Sequence, residues 1–218
     1  MCASYGLGGG RRDDGPGTGV KFAPVAPLDE PVPAGVVAAW MREWGGKAST
    51  SRVRKDGRTN LNPVIWQDAG GMRRVDLGWW WLHVGGAPAR FTAFNSRDDA
   101  LLVKWREPFQ HRAILPADWY SEGGKVWRLP GGESFGMAAI LSPRIVGGAT
   151  TISYSLVTRA GIGEAASVVT SRGDSRMPLV LPAGLHDEWL DPARPGDAAL
   201  VAKVQARSEE ISRALTAR

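Results

Sequence analysis

The pattern of apolar and polar positions predicts a fold built mainly from short antiparallel strands. From position 62 onward, short apolar runs alternate with turn residues, a spacing typical of strands joined by tight turns. The candidate strands are 74–83, 88–95, 100–105, 113–119, 125–129, 135–141, 151–157 and 179–181, with another at 20–25. Residues 98–104 also fit a helical pattern. Paired glycines at 85–86, 123–124, 131–132 and 147–148 mark most of the turns.

Two segments have the spacing of amphipathic helices. Residues 36–44 place apolar side chains on one helical face, and the Gly45–Gly46 pair predicts the end of that helix. Residues 197–218 form the clearest helical pattern, with Asp197 as a suitable N-cap. Its apolar stripe consists of Leu200, Val204, Ile211 and Leu215. Helices and strands together predict one α+β domain, mostly antiparallel, with a C-terminal helix.

Composition indicates a globular protein rich in turns. Hydrophobic residues make up 43% of the 218 residues and charged residues 22%, as in ordinary globular chains rather than disordered ones. The 28 glycines and 15 prolines exceed the usual share and disfavour a long helical bundle. No apolar run approaches the roughly 20 residues of a membrane helix, and the first residues lack the apolar segment of a signal peptide. We therefore expect a cytoplasmic monomer with no membrane partner.

Charge and tryptophan content each leave two interpretations open. The net charge of +5 and the isoelectric point of about 9.7 suit a polyanionic partner, but such charge also favours solubility. The segment 46–60 is either a solvated loop or a phosphate contact; its basic residues include Arg52, Arg54, Lys55 and Arg58.

Three of the ten tryptophans are consecutive, at Trp79, Trp80 and Trp81. Because side chains alternate along a strand, at least one should face outward as a stacking surface for bases, while most of the ten form a core.

The only cysteine, Cys2, directly follows Met1. Removal of Met1 would leave an α-amine and a thiol on adjacent carbons, with ordinary pKa values of about 7.7–8.0 and about 8.5. The thiol could then act as an N-terminal nucleophile with its own amine as base. Alternatively, the amine condenses with an aldehyde to an imine, which the thiol closes to a thiazolidine ring. A third interpretation is an incidental cysteine in a terminal tail.

Metal and cofactor chemistry is not expected. One cysteine can form neither an intrachain disulfide nor a thiolate metal site, which favours a reducing compartment. The histidines His83, His111 and His186 lack metal-ligand spacing and are interpreted as structural. Polar side chains at the ends of apolar runs are better candidates for a site around Cys2. These are Asn95, Glu122 and Arg176, although each also fits a capping or turn residue.

The chain contains, in order, segments similar to the motifs of one family. The start Met1-Cys2-Ala3-Ser4 is similar to M-C-G-R, and Trp79-Trp80-Trp81-Leu82 to a W-G-L segment. Residues 95–99 are similar to N-A-R-x-E, 116–122 to P-A-x-G-F-Y-E, 135–141 to F-A-x-A-G-L, 158–161 to T-x-A-N, 174–178 to H-x-R-M-P, and 189–192 to a W-L-D segment. The chain therefore resembles the SOS response-associated peptidase (SRAP) family, which shields abasic sites in DNA.

The resemblance implies a fold and an activity. The fold is a barrel-like β core with flanking helices, here over residues 2–195, followed by a C-terminal helix over residues 196–218. The family removes its initiator methionine in a peptidase-like step and binds single-stranded DNA in a basic groove. Cys2 would then form a thiazolidine crosslink with the ring-opened sugar of an abasic site, without a cofactor.

By the same resemblance, matched residues receive roles. Asn95 would position the Cys2 amine or the sugar, and Glu122 would be the general acid and base. Arg97 and Arg176 would hold DNA phosphates, and the further candidates for DNA binding are Thr158, Trp79 and Trp80. Asp174 occupies the position of the family's histidine, so slower proton transfer is expected there. The family's arginine after the cysteine is also absent, because Ala3-Ser4 replaces Gly-Arg, and Asp99 replaces a glutamate.

Two other functions remain to be distinguished. A non-enzymatic single-stranded DNA-binding module would use the tryptophans and basic residues but would need neither Cys2 nor Glu122. An N-terminal-cysteine amidotransferase or hydrolase also begins Met-Cys, but such enzymes usually carry Gly-Ile after the cysteine and an Asn-Gly-Asp element. Neither occurs in this sequence.

Overall fold

A computed structural model of the chain describes residues 2, 4–8, 25, 27–28, 30–50, 59–169 and 173–217. Three sequence-based predictions lie outside these ranges. They concern Met1, the strand at 20–25 apart from Val25, and the four basic residues between positions 51 and 58.

Strands dominate the described part of the chain. They are β1 (Ser4–Gly6), β2 (Lys47–Ser49), β3 (Leu61–Gln67), β4 (Arg73–Trp79), β5 (His83–Val84), β6 (Ala87–Pro88), β7 (Asn95–Arg97), β8 (Arg112–Ala117), β9 (Trp119–Glu122), β10 (Lys125–Arg128), β11 (Phe135–Val146), β12 (Ala149–Ala160), β13 (Arg176–Pro178), β14 (Val180–Leu181) and β15 (Thr216–Ala217). The α-helices are α1 (Pro31–Trp44), α2 (His186–Leu190), α3 (Ala198–Arg207) and α4 (Glu209–Ala214). The predicted α+β class is confirmed.

Five strands close into a barrel in the order β12-β4-β3-β8-β11, with β11 pairing back onto β12. All neighbours in this ring are antiparallel except β12 and β4, which are parallel. The long β11–β12 hairpin turns at Gly147 and Gly148, whose φ values of 58° and 82° belong to the turn type that tight hairpins favour. The predicted barrel-like, mostly antiparallel core is therefore confirmed.

A second sheet, in the order β15-β10-β9-β1-β2, holds the first described strand of the chain in its interior. In β1, Tyr5 lies opposite Tyr120 of β9 on one side and Ala48 of β2 on the other. The short strand β7 pairs in parallel with β12 and lies beside the barrel. These two additions carry the polar residues of the candidate site.

Both predicted helices are present, but their bounds differ from the prediction: α1 begins at Pro31 rather than at position 36, and the C-terminal helix is divided in two. Helix α1 ends at Trp44, and Gly45 takes the left-handed φ of 61° that suits a helix C-cap. At the C-terminus, Asp197 caps α3 by accepting a hydrogen bond from the Leu200 backbone N–H at 2.8 Å. The single long helix is not formed, because the chain turns at Ser208 and continues as α4 and β15.

Side-chain contacts explain that break. Arg159 of β12 donates hydrogen bonds to the Gln205 carbonyl at 2.9 Å and to the Ser208 hydroxyl at 2.7 Å, so the helix end is fixed against the barrel. Beyond α4, Ala217 lies opposite Trp127 of β10. The C-terminal segment is therefore packed into the same α+β domain.

Two predicted strands differ from the structure, since one is shorter than its apolar run and the other is not formed. The run 74–83 ends as a strand at Trp79, because a turn follows in which the Trp81 N–H donates to the Trp79 carbonyl at 2.8 Å. Residues 98–105 form a 3₁₀ turn at Asp98–Ala100 and further turns rather than a strand. Among the described residues, no helix has the length and apolar character needed to cross a membrane.

Candidate active site

Cys2 is fully buried and lies two residues before β1, between the second sheet and β7. The Asn95 side chain donates a hydrogen bond from Nδ2 to the Cys2 carbonyl at 2.7 Å. The Cys2 thiol itself donates to the Ser4 carbonyl, with 3.4 Å between Sγ and the oxygen. The pairing of Asn95 with Leu156 of β12 fixes the asparagine against the barrel, so β7 positions the start of the chain.

Glu122 ends β9 beside the same residues. The antiparallel register of β1 and β9 places Ser4 opposite Ser121. Glu122, the next residue on β9, therefore lies towards the end of β1 that is nearer to Cys2. Its side chain is buried, although a carboxylate usually requires solvent. Burial, followed by the negative charge of Glu122, raises the pKa of the Cys2 thiol to about 12. The thiol is therefore neutral near pH 7, and its attack on an electrophile requires a base.

An aromatic cluster that the sequence analysis did not identify packs around Cys2. All three tyrosines of the chain, Tyr5, Tyr120 and Tyr154, are fully buried. The hydroxyls of Tyr5 and Tyr154 share a hydrogen bond of 2.7 Å. Each tyrosine lies close enough to Cys2 for a charge on the thiol to raise the pKa of its phenol further, after the larger effect of burial. In the sequence, the only feature that could have indicated this cluster is that the chain has just three tyrosines, and none of the motifs contains them as a pattern.

Arg176 lies in a buried network of polar side chains. Its guanidinium pairs with the Asp98 carboxylate at 3.1 Å and also donates to Thr158, to the side-chain oxygen at 3.1 Å and to the carbonyl. Gln205 of α3 donates to the other Asp98 oxygen at 2.7 Å. Arg176, Thr158 and Asp98 are all buried, so a DNA phosphate could reach this guanidinium only by displacing these partners.

Arg97 is exposed at the end of β7. It binds Asp99 through two hydrogen bonds of 3.0 and 2.7 Å and lies 3.4 Å from the Asp174 carboxylate. More than half of the Arg97 side chain is exposed, 54%, and 38% of the Asp174 side chain. Asp174 therefore lies at the surface beside Arg97.

The three consecutive tryptophans differ in their surroundings. Trp80 is fully buried, with its indole stacked on Tyr154 at 6.1 Å between ring centroids and its N–H donated to the Phe94 carbonyl at 2.7 Å. Trp79 is half-buried and packs edge-on against His83. Trp81 is also half-buried. A base could stack on Trp79 at the surface, whereas stacking on Trp80 would require the aromatic cluster to open.

The structure thus brings together Cys2, Asn95 and Glu122, which lie far apart in sequence. Successive side chains of β7 point in different directions, so the strand that positions Asn95 beside Cys2 also positions Arg97. Asn95 faces Cys2, Ser96 bonds Ser155 at 2.7 Å, and the Arg97 side chain reaches the surface. Two cavities of about 490 Å³ lie on either side of the β11 segment 141–144, and none of the three site residues lines them.

The candidate site has no evident place for a metal. Within the ranges that the structure describes, no group of three histidine, cysteine, aspartate or glutamate side chains converges as metal ligands would. The chemistry available is that of a thiol, a buried carboxylate and an amide. Such a set can exchange protons with a bound molecule and form a covalent bond through sulfur.

Comparison with known proteins shows the fold. No protein-family model matches the chain, and no curated protein matches it. A solved structure of a protein from Bordetella bronchiseptica is similar, with a TM-score of 0.62 and 15% identity over 99% of this chain and 98% of that one. A protein from Bacteroides thetaiotaomicron has a TM-score of 0.53 and 19% identity over 73% and 71% of the two chains. A phage-related protein from Bordetella bronchiseptica has a TM-score of 0.53 and 18% identity over 72% and 76%.

Proposed function

We propose that this chain captures abasic sites in single-stranded DNA by forming a thiazolidine crosslink through Cys2, as a member of the SRAP family. The observation that supports the proposal best is the convergence of Cys2, Asn95 and Glu122 in one buried place. These residues come from three separate segments, and each was singled out by its own motif. An incidental cysteine in a terminal tail would not be expected to be buried beside a carboxylate and held by an asparagine.

The proposed chemistry begins with removal of Met1, which frees the α-amine of Cys2. The amine nitrogen attacks the aldehyde carbon of the ring-opened sugar, and one of its N–H protons is transferred to the carbonyl oxygen to give a carbinolamine. Loss of that oxygen as water, together with the second N–H proton, leaves an imine. The thiol sulfur then adds to the imine carbon, its proton moves to the nitrogen, and the five-membered ring closes. One water is released overall, and no oxidant or reductant is consumed.

Glu122 is the proposed proton carrier in these steps. Its carboxylate lies close enough to Cys2 to raise the pKa of the thiol, so it can accept the thiol proton as the sulfur attacks. In its protonated form it can deliver a proton to the departing oxygen. Asn95 holds the Cys2 carbonyl and so orients the amine and thiol relative to the barrel.

Proposed DNA contacts divide into surface and interior positions. Arg97 and Trp79 are the accessible candidates for phosphate contact and base stacking. For Arg176 and Thr158 we propose a supporting role in DNA binding, because their side chains bond each other in the interior. Trp80 supports the site by packing against Tyr5 and Tyr154.

The decisive experiment is a denaturing gel of the purified protein with a single-stranded oligonucleotide that contains one abasic site. We expect a shifted covalent band with wild-type protein. No such band should form with Cys2→Ser, with an undamaged oligonucleotide, or with an abasic site reduced to the alcohol beforehand. Intact-mass spectrometry of the active protein should show that Met1 is absent.

A quantitative variant tests the role of Glu122. General acid–base groups typically contribute about 10²–10⁴-fold in rate, so Glu122→Gln should slow crosslinking on that scale at saturating protein while retaining DNA affinity. Wild-type protein that binds the oligonucleotide reversibly but never crosslinks it would instead identify a DNA-binding module without this chemistry.

A further inference from the structure

One hydroxyl beside the candidate site has no hydrogen-bond partner within the part of the chain that the structure describes. Tyr5 and Tyr154 satisfy each other, whereas the Tyr120 hydroxyl is buried without a partner among the residues that the structure describes. Buried polar groups are nearly always paired, so an unpaired hydroxyl in a fully buried side chain requires an explanation. Catalytic or ligand-binding use is one of the recognised reasons.

The position of Tyr120 is fixed by packing rather than by its hydroxyl. Its ring is parallel to that of Trp127 within 8°, with 6.0 Å between the ring centroids, and Tyr5 lies opposite it on β1. Tyr120 and Glu122 are two residues apart on β9, so both side chains lie on the same buried face of the strand. The motif that residues 116–122 resemble has phenylalanine at this position, so the hydroxyl is an addition in this chain.

We propose that the Tyr120 hydroxyl donates a hydrogen bond to the aldehyde oxygen of the abasic sugar and holds it beside the Cys2 amine. This inference rests on the proposed function. As the nitrogen–carbon bond forms, negative charge develops on that oxygen, and a preplaced donor stabilises it before a proton arrives. Tyr120 keeps its own proton throughout; the proton that leaves with water comes from Glu122.

Two further observations favour this assignment. Burial raises the pKa of the Tyr120 phenol well above its usual value, so the hydroxyl stays protonated and able to donate at every physiological pH. Asp174, at the position of the family's histidine, lies at the surface against Arg97 and is an acceptor when ionised. The donor for the oxygen is therefore expected among uncharged groups such as Tyr120.

The test is Tyr120→Phe, which removes one oxygen and keeps the ring on Trp127. We expect crosslinking at saturating protein to slow by about 10²-fold, the scale of removing one oxyanion donor. Affinity for an undamaged oligonucleotide should not change. The melting temperature should stay equal or rise, because a buried hydroxyl without a partner is lost. Tyr5→Phe is the matched control; it removes a paired hydroxyl and should lower the melting temperature while changing the crosslinking rate less than threefold.

A second measurement isolates the imine step. In a Cys2→Ser background no thiazolidine forms, but the imine can be trapped with borohydride, and Tyr120→Phe should slow this trapping as well. Wild-type protein that crosslinks at the same rate as Tyr120→Phe would overturn the inference and leave the proposed function intact. Absence of crosslinking by wild-type protein would remove the proposed function. A slower Tyr120→Phe that also melts lower and binds undamaged DNA more weakly would assign the residue a structural role instead.

Discussion

The guanidinium of Arg97 lies 3.4 Å from the carboxylate of Asp174, although 77 positions separate the two residues. Arg97 ends β7, the strand that holds Asn95 against Cys2, and Asp174 precedes β13. Asp99 binds the same guanidinium through two hydrogen bonds. Two carboxylates therefore neutralise this exposed cation, and in the proposed function a DNA phosphate would compete with both.

Removing either carboxylate should tighten binding to single-stranded DNA. Exposed ion pairs are worth about 0–1 kcal/mol, so Asp174→Asn and Asp99→Asn should each increase affinity by at most about fivefold. The gain should shrink as salt is added, because salt screens these charges. Fluorescence anisotropy with an undamaged oligonucleotide over a range of salt concentrations measures both effects. Affinity that is unchanged in both variants would show that Arg97 does not contact the DNA.

Asp174→His tests one of the positions at which this chain departs from the SRAP motifs that it resembles. A histidine can give or take a proton near neutral pH, whereas an exposed aspartate is ionised there. We expect crosslink formation and reversal to accelerate several-fold at pH 7, because a group that serves one direction also serves the other. Asp174→Asn is the control for loss of charge alone. Equal crosslinking rates in wild-type protein, Asp174→His and Asp174→Asn would show that Asp174 takes no part in proton transfer.

The two DNA-binding arginines of the proposal should respond differently to truncation. Arg97→Ala should weaken DNA binding and reduce the salt slope by about 0.7, the value for one phosphate contact on a single strand. Arg176→Ala should mainly destabilise the fold, by about 3–5 kcal/mol, because it leaves the buried Asp98 carboxylate without its cation. Chemical denaturation measures the second effect. Asp98→Asn in the Arg176→Ala background should recover part of the stability if the uncompensated charge is the cause.

The sequence was most informative about turns and least informative about the ends of strands. Gly45 and the Gly147–Gly148 pair could be placed correctly because positive φ favours glycine there. The end of β4 at Trp79 could not, since three consecutive tryptophans continue an apolar run and only tertiary packing makes the chain turn. The break at Ser208 depends likewise on Arg159, a residue remote in sequence.

For the candidate site, motifs identified residue types but not their surroundings. Asn95 and Glu122 were placed beside Cys2 by resemblance, and the structure places them there. The same reasoning predicted that Arg176 binds DNA. In the structure Arg176 is buried against Asp98 because β13 pairs with β12, and no local sequence pattern predicts that pairing. The Tyr120 hydroxyl was missed because an unpaired buried group is visible only in three dimensions.

Trp79 and Trp80 provide a direct comparison between surface and core. Trp79→Ala should lower affinity for single-stranded DNA by about 1–3 kcal/mol if a base stacks on it, with little change in stability. Trp80→Ala should instead cost about 3–5 kcal/mol of unfolding free energy, because it removes a fully buried ring from between Tyr5 and Tyr154. Anisotropy titrations and urea denaturation separate the two outcomes. A loss of affinity in folded Trp80→Phe that exceeds the loss in Trp79→Ala would reverse the assignment.

Because Cys2 is the only cysteine, thiol labelling reports on the site alone. In the chain that retains Met1, burial and the Glu122 charge raise the pKa of this thiol to about 12, compared with about 8.5 in an unfolded chain, so the labelling is predicted for that form. Alkylation by iodoacetamide should therefore be about 10³-fold slower at pH 8 than in urea, and it should rise about tenfold per pH unit without a plateau below pH 11.

Glu122→Gln should shift this profile toward lower pH, since it removes a negative charge that disfavours the thiolate. The shift should be partial, because burial is the larger cause and remains. The raised pKa also makes the free energy of unfolding depend on pH, because the folded state holds the thiol proton more tightly than the unfolded state. The stabilising contribution of this group is fully present below about pH 8.5 and is lost as the pH rises toward 12. Cys2→Ala should flatten that alkaline decline. A labelling profile that reaches its plateau near pH 9 in wild-type protein would show that neither burial nor Glu122 controls this thiol.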